Sequence, residues 1–375
     1  MTVIIAEPLA RCTGHHSWLL KAMGQGFLDA GADIRIVTFS GYHGQDDMTL
    51  PAREVHARWS PFVQWLYRKV VGVRTDRVVP SELRGQLGAA RYWLFGHIST
   101  FAVTKDALAE ARTIPGACVW LPEPVTLPVA LSLWLRSTCP PILATMFAFP
   151  PSARTSFRGL YGRILLWLLR RLVDMGTLRV VVNTGPIRDA WRAVLGENAV
   201  ELIPLGVATL GAIPDRASEK ARLGLPLDRP IVAVLGALRP VKGFEELLAA
   251  FRGQPAPCYF LLAGDWPDWA PPDPRTVVQA LGRVDDAIVR LGFIAEDEFD
   301  AYLRSVDVVS LLYRNAEASS GILSRCLAAG TPALVTSRGS LGALARETRA
   351  GAVADPDRPD EIRAALESLL LAPPP

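Results

Sequence analysis

Short apolar runs alternate with segments of helical spacing from the first residues of the chain. Val3–Ala6 is an apolar run, and the apolar positions of 18–30 recur at the intervals of an amphipathic helix. Gly31 ends that helix, and 34–39 begins a second apolar strand. A strand–helix–strand unit of this kind is typical of a parallel sheet covered by helices. Further strands are predicted at 92–95, 117–121, 142–146 and 178–182.

The same alternation restarts after a polar, turn-rich segment at 208–229, which we interpret as a linker. Strands are predicted at 231–235, 258–263, 288–292, 308–312 and 333–336, and helices at 244–251, 296–305, 321–329 and 360–371. The predicted organisation is a first domain at 1–207, the linker, a second domain at 230–358, and a carboxyl-terminal helix and tail at 359–375. We therefore predict an α/β fold of two Rossmann-like doubly wound domains, with an interdomain cleft at the carboxyl ends of the strands.

Composition narrows the classes of protein but does not identify one. The chain has 375 residues, half of them hydrophobic, and a formal net charge of +3, which gives no reason to expect a nucleic-acid partner. Its five cysteines form no C-x-x-C pair, so neither a disulfide framework nor a zinc site is predicted. The first residues lack the pattern of a signal peptide, and prolines interrupt the longest uncharged runs. These features favour a cytoplasmic protein.

Two stretches of the second half carry the candidate chemistry. Arg239 and Lys242 follow the predicted strand 231–235 and precede Gly243 and a helix, where two cations beside a helix start could bind a diphosphate. Glu317 follows the strand 308–312 and precedes a Ser-Ser-Gly turn into another helix. Each stretch has an ordinary alternative: a solvated loop with surface cations for the first, and a helix start with Ser320 as its N-cap for the second.

The order of these stretches resembles that of the GT-B glycosyltransferases, specifically the large retaining family 4. The similar segments, in chain order, are Gly14, Ile203–Val207, Gly236–Gly243, Leu262–Asp265, Leu291–Phe293, Glu317–Pro332 and Ala352–Pro356. The resemblance implies transfer of a hexosyl group from a nucleotide-diphosphate sugar, with retention, to a glycan or lipid-linked glycan. It also implies that no cofactor and no essential metal are needed.

The resemblance assigns roles by position. Arg239, Lys242 and Glu317 would be the catalytic residues, with the two cations neutralising the diphosphate and Glu317 holding sugar hydroxyls. The implied donor-binding residues are Gly14, Gly236, Phe293, Ile294, Ser319, Ser320, Gly321, Ile322 and Arg325. Candidate residues on the acceptor side are His15, His16 and Glu123, each with an ordinary capping or packing alternative.

Two departures from the family pattern concern the site itself. The second glutamate of the family's E-x7-E region falls at Arg325, giving E-x7-R, and a guanidinium cannot accept hydrogen bonds from ribose hydroxyls. Where the family often has a histidine, this chain reads Thr145-Met146-Phe147. Both departures keep open a second hypothesis, a non-catalytic GT-B protein that binds a nucleotide or a partner transferase.

An anionic membrane surface is a further candidate partner. On a helical wheel of 158–174, Arg163, Arg170 and Asp174 share one side, and Leu160, Leu165, Leu168, Leu169 and Leu172 are predicted to share the opposite one. The segment 59–77 mixes aromatic and basic residues in the same way. Such mixtures suit an anionic bilayer, and would bring the first domain to a lipid-linked acceptor. The alternative for 158–171 is a core helix whose cations stay at its edge.

Overall fold

A computed structural model of the chain divides into two units, Met1–Leu205 and Gly206–Pro375. The residues that it describes are 1–6, 23–39, 53–57, 97–98, 100–122, 124–136, 138–146, 148, 150, 157–203, 215–266, 273–314, 316 and 320–371. Within these ranges no helix is long and apolar enough to cross a bilayer.

The described part of the first unit holds a seven-stranded sheet in the order β3-β2-β1-β4-β5-β6-β7, with every neighbouring pair parallel. Its strands are β1 (Thr2–Ala6), β2 (Asp33–Phe39), β3 (Arg53–Ala57), β4 (Cys118–Leu121), β5 (Ile142–Thr145), β6 (Leu178–Val182) and β7 (Val200–Leu202). Its helices cover 23–29, 100–111, Leu127–Trp134, Phe157–Asp174 and Gly185–Leu195, with a 3-10 turn at Glu197–Ala199. The predicted strand at 92–95 lies outside the described residues.

Successive residues of β1 explain why this sheet needs helices on both faces. Val3 and Ile5 belong to one buried cluster and Ile4 to another, because side chains alternate between the faces of a strand. A strand buried on both faces reads as a nearly continuous apolar run, which is the pattern that predicted β1. The helices Leu127–Trp134 and Phe157–Asp174 cover the face that includes Ile4.

The described part of the second unit repeats this design with a six-stranded parallel sheet, in the order β10-β9-β8-β11-β12-β13. Its strands are β8 (Ile231–Leu235), β9 (Tyr259–Gly264), β10 (Ala287–Leu291), β11 (Val308–Leu311), β12 (Ala333–Thr336) and β13 (Gly351–Ala354). Its helices are Arg216–Arg222, Phe244–Ala249, Pro274–Ala280, Glu296–Ser305, Gly321–Ala329, Gly339–Thr348 and Pro359–Leu371, with a 3-10 turn at Pro240–Lys242.

The strand order of the second sheet reverses between β8 and β11. In parallel α/β sheets, the loops that leave two such strands diverge to opposite faces and leave a crevice at the carboxyl ends. Both stretches singled out in the sequence follow these two strands. The predicted α/β fold with two Rossmann-like doubly wound sheets is thus confirmed. Both candidate stretches lie at the crevice of the second sheet.

Part of the predicted linker is a packed helix. Asp307, just before β11, accepts hydrogen bonds from Lys220 Nζ at 2.8 Å and Arg216 Nη1 at 3.1 Å, both on the helix Arg216–Arg222. The same carboxylate accepts one from the backbone N–H of Ile231 at 2.8 Å, at the start of β8. The polar residues that suggested a linker therefore hold this helix to the second sheet. The domain boundaries stay predictions.

Candidate functional site

The loop after β8 is seated directly against the end of β11. Gly243 has a φ of +75°, and a Cβ built on it would lie 1.9 Å from the carbonyl oxygen of Leu312. The backbone N–H of Arg314 donates to the carbonyl of Val241 at 3.0 Å, which ties the two segments together. Because only glycine fits this contact, the loop that carries Arg239 and Lys242 has a fixed position relative to β11.

Lys242 reaches across this contact to a tyrosine that the sequence analysis did not single out. Its Nζ donates to the Tyr313 hydroxyl at 2.7 Å and lies 4.1 Å from the centre of the tyrosine ring. Tyr313 is 8% exposed, and its hydroxyl oxygen is 3.3 Å from Oγ of Ser320. Lys242, Tyr313 and Ser320 thus form a polar row from the β8 loop to the start of the helix Gly321–Ala329. In the sequence, Tyr313 is marked only by its place directly after a predicted buried strand.

The start of the helix Gly321–Ala329 retains its attraction for anions. Ser320 occupies the N-cap position, but its side chain makes no capping hydrogen bond, so the predicted capping alternative is only half right. The first turn contains no acidic residue. The first backbone N–H groups of a helix, here including those of Gly321 and Ile322, have no acceptor within the helix, and the helix dipole favours negative charge there.

The helix after Lys242 is a poorer anion site than its sequence position suggests. Phe244–Ala249 carries Glu245 and Glu246 in its first turn. Burial, and then the neighbouring Glu246 charge, raise the pKa of the Glu245 carboxyl. Glu246 is itself buried and forms an ion pair with Arg314. Two acidic side chains therefore already lie at this helix start. An anion beside Lys242 would bind more favourably at the start of the helix Gly321–Ala329, which has none.

Glycines form the floor beside this row. A Cβ built on Gly264, at the end of β9, would lie 1.8 Å from the carbonyl oxygen of Gly236, at the end of β8. A Cβ on Gly236 itself would contact Ile322 Cδ1 at 3.5 Å, so the predicted donor residues Gly236 and Ile322 do lie together. Phe293 is 65% exposed on the turn after β10, and Ile294 is partly buried against the core.

Arg325 is engaged within the second unit. Its Nε donates to Asp300 Oδ1 at 3.1 Å, a second guanidinium nitrogen pairs with the same oxygen, and its side chain is only 13% exposed. The guanidinium carbon lies 4.4 Å from the centre of the Phe299 ring. The departure from E-x7-E is therefore accompanied by a carboxylate on the neighbouring helix Glu296–Ser305. The donor-binding role of Arg325 stays a prediction.

The structure does not describe the positions of six predicted site residues. Gly14, His15, His16, Glu123, Glu317 and Ser319 lie outside the described residues. Thr145, where the family often has a histidine, is buried and accepts a hydrogen bond from Trp120 Nε1 at 2.9 Å.

No group of three or more His, Cys, Asp or Glu residues is placed to hold a metal ion in the described ranges. The two nearby carboxylates of Asp355 and Asp357 both pair with Arg338, at the start of the helix Gly339–Thr348. The backbone N–H of Asp357 also donates to Asp355, and this hydrogen bond is the first cause of the lowered pKa of the Asp355 carboxyl.

The chain is similar in sequence to known glycosyltransferases. The family model "Glycosyl transferases group 1" matches residues 229–371, a range that includes every site residue of the second unit named above. Over 364 residues the chain is 24% identical to the alpha-D-kanosaminyltransferase of Streptomyces kanamyceticus, covering 94% of this chain and 89% of that protein.

Solved structures of low sequence identity share the fold over nearly the whole chain. Sucrose-phosphate synthase from Thermosynechococcus elongatus superposes with a TM-score of 0.69 at 17% identity, covering 99% of this chain and 90% of that one. The Anabaena protein HepE in complex with UDP gives a TM-score of 0.65 at 14% identity, with the same coverage. The chain therefore has the fold of the GT-B glycosyltransferase structures.

Proposed function

We propose that this chain is a glycosyltransferase that takes a hexosyl group from a nucleotide-diphosphate sugar. The similarity to group 1 glycosyl transferases over 229–371 supports this activity. The full-length similarity to a kanosaminyltransferase and the UDP bound by HepE support it further. The observation that carries the proposal is the row Lys242–Tyr313–Ser320, which holds a cation beside an anion-attracting helix start.

This geometry suits a leaving nucleoside diphosphate. As the bond between sugar and phosphate breaks, negative charge grows on the departing phosphate, and a cation already in position stabilises that charge without rearrangement. Tyr313 accepts a hydrogen bond from Lys242 and presents its ring to the ammonium, which restricts where the charge can lie. In the proposal Arg239 supplies the second cation, and the amides of Gly321 and Ile322 bind the diphosphate oxygens.

The other parts of the proposal rest on the family resemblance. Glu317 holds the sugar hydroxyls, and Phe293 and Ile294 line the base pocket. The acceptor is a glycan or a lipid-linked glycan that meets the donor in the cytoplasm, and transfer proceeds with retention and without an essential metal. In this scheme the leaving phosphate itself takes the proton of the acceptor hydroxyl, so no protein base at the position of Thr145 is required.

The experiment is a binding and turnover comparison on the purified chain. Calorimetry with UDP, GDP and ADP, and with their common sugars, should find one nucleotide that binds. Lys242→Ala should weaken that binding about tenfold or more, since it removes a charge-assisted contact. Lys105→Ala is the matched control, because Lys105 is an exposed lysine on the helix 100–111 of the first unit.

The outcomes separate the two hypotheses. Release of nucleotide from the sugar donor in the presence of acceptor extracts, lost in Lys242→Ala, supports the transferase. Nucleotide binding that depends on Lys242, with neither transfer nor slow donor hydrolysis, points instead to the non-catalytic GT-B protein. Binding that is equal in Lys242→Ala and Lys105→Ala contradicts the assigned donor site.

A further inference from the structure

The helix Phe157–Asp174 of the first unit has two apolar faces. Its core face is formed by Leu165, Leu168, Leu169 and Leu172, all buried. On the opposite face Leu160, Ile164 and Trp167 are exposed, with Trp167 at 46%. The prediction that Leu160 shares the core face is therefore wrong. At 100° per residue Leu160 falls beside Trp167 and Ile164, on the solvent side of the helix.

The neighbouring helix Leu127–Trp134 repeats this arrangement. Val129, Ala130 and Leu133 are buried in the core of the first unit. Its other side exposes Leu131, Trp134 and, directly after the helix, Leu135, with Trp134 at 37% and Leu135 at 68%. A helix that only covers a sheet needs apolar residues on one face, so the apolar residues on the solvent side require another explanation.

One ring contact joins the two exposed faces. The indoles of Trp134 and Trp167 pack edge to face, with ring centres 5.4 Å apart and an interplanar angle of 65°. Together the two helices expose six large apolar side chains, which we call the tryptophan patch: Leu131, Trp134, Leu135, Leu160, Ile164 and Trp167. Contiguous apolar surface of this kind on a folded protein marks an interaction site.

The margin of the patch is cationic. Arg163, Arg170 and Arg171 are exposed on the solvent side of the helix Phe157–Asp174, although Arg170 Nε also donates to the carbonyl of Val194 at 2.7 Å. Arg136, just after the other helix, is half-buried. The guanidinium carbon of Arg171 lies 5.7 Å from the Trp167 ring centre. Asp174 is the one acidic residue in the sequences of the two helices. The surface thus combines exposed indoles and aliphatic chains with a strong excess of positive charge.

This charge distribution selects among occupants. In a symmetric dimer the same patch would face itself and bring the two sets of arginines together, which is electrostatically unfavourable. An anionic bilayer offers what both parts of the patch need: negative headgroups for the arginines, and an interfacial zone in which indoles are stable. A helix pair of this kind lies in the plane of the interface rather than spanning the bilayer.

We propose that the tryptophan patch is a docking surface for an anionic lipid bilayer. The two helices insert their exposed apolar side chains at the headgroup level, while Arg136, Arg163, Arg170 and Arg171 contact the lipid phosphates. The docking surface lies on a helix-covered face of the first sheet. It needs no transfer activity, so its test is independent of the proposed function.

The test is flotation of the purified full chain with vesicles of phosphatidylcholine alone and of phosphatidylcholine mixed with phosphatidylglycerol. We expect binding to the mixed vesicles that weakens as salt is added. Trp134→Ala with Trp167→Ala should lower the partition coefficient about tenfold or more, and Arg171→Gln about fivefold. Leu227→Ala, at an exposed leucine of the second unit, is the matched control and should bind like the unchanged chain.

Because all the substituted side chains are exposed, the variants should keep the thermal transition of the unchanged chain, and this is measured in parallel. The proposal is overturned if the folded chain floats with neither vesicle, or if the tryptophan variant binds the mixed vesicles as well as the control does. It is equally overturned if light scattering shows a dimer that the tryptophan substitutions dissociate, since the patch is then a contact between copies.

Discussion

Replacing Gly243 with alanine should test whether the fixed position of the β8 loop sustains the site. Two separate effects act on the new methyl group. A left-handed φ of +75° disfavours any residue with a Cβ by about 1–2 kcal/mol. In addition, the Cβ would lie 1.9 Å from the Leu312 carbonyl oxygen and 2.6 Å from its carbon, so the backbone of one segment must move. Such forced displacement of well-packed groups costs about 1–3 kcal/mol more.

Gly253 provides the control that separates these effects. Its φ is +71°, nearly that of Gly243, but a Cβ built there would meet nothing within 4 Å. Gly253→Ala therefore carries the conformational term alone. The difference between the two variants should be the steric term, about 1–3 kcal/mol, which corresponds to about 2–12 °C in the Tm of a unit of this size.

The assay combines thermal unfolding, followed by circular dichroism, with calorimetric titration of the nucleotide that the chain binds. Gly243→Ala should melt below Gly253→Ala and bind the nucleotide more weakly, because moving the loop moves the adjacent Lys242. Gly253→Ala should bind like the unchanged chain. The reasoning is refuted if the two variants melt at the same temperature and bind with equal affinity.

Three further predictions concern side chains around the site. Tyr313→Phe, which keeps the ring but removes the acceptor for Lys242, should weaken nucleotide binding about tenfold in calorimetry; unchanged affinity would leave Tyr313 a packing residue. Arg325→Glu should lower the Tm by placing a carboxylate against Asp300, and adding Asp300→Arg should restore part of the loss in a double-mutant cycle; purely additive effects would contradict the pairing. Burial raises the pKa of the Cys326 thiol to about 12, so iodoacetamide at pH 8 should label it only after unfolding, as read by mass spectrometry, and rapid labelling of the folded chain would contradict its burial.

The apolar pattern predicted those parts of the fold in which burial leaves a clear signal. β8 is buried at every position and was predicted at its observed bounds. The edge strands β3 and β7 were missed, since Arg-Glu-Val-His-Ala and Val-Glu-Leu are short and partly polar, as edges of a sheet allow. Helices of the second unit such as Glu296–Ser305 and Gly321–Ala329 were predicted at their observed bounds because each lies between two strongly apolar strands.

The sequence predicts the site residues that belong to short stretches with a recognisable pattern, and it does not predict the others. Lys242 and Ser320 stand in stretches with a recognisable order, and the structure connects them. Tyr313 escaped notice because a single aromatic residue after a strand carries no distinctive pattern. The pairing of Arg325 with Asp300 joins two helices that are adjacent only after folding, so local sequence gives no sign of it.

The backbone contact between Gly264 and Gly236 divides the site into a part that cannot vary and a part that can. At Gly264 every larger residue collides with a main-chain oxygen 1.8 Å from its Cβ, so no side chain can be added to the floor. Phe293 projects into solvent on the next turn and meets no such restriction. A library randomised at both positions should return only glycine at the first and a wide range of residues at the second. Under the proposed function, in which Phe293 lines the base pocket, new donor preferences would evolve at this position, over an unchanged main-chain surface.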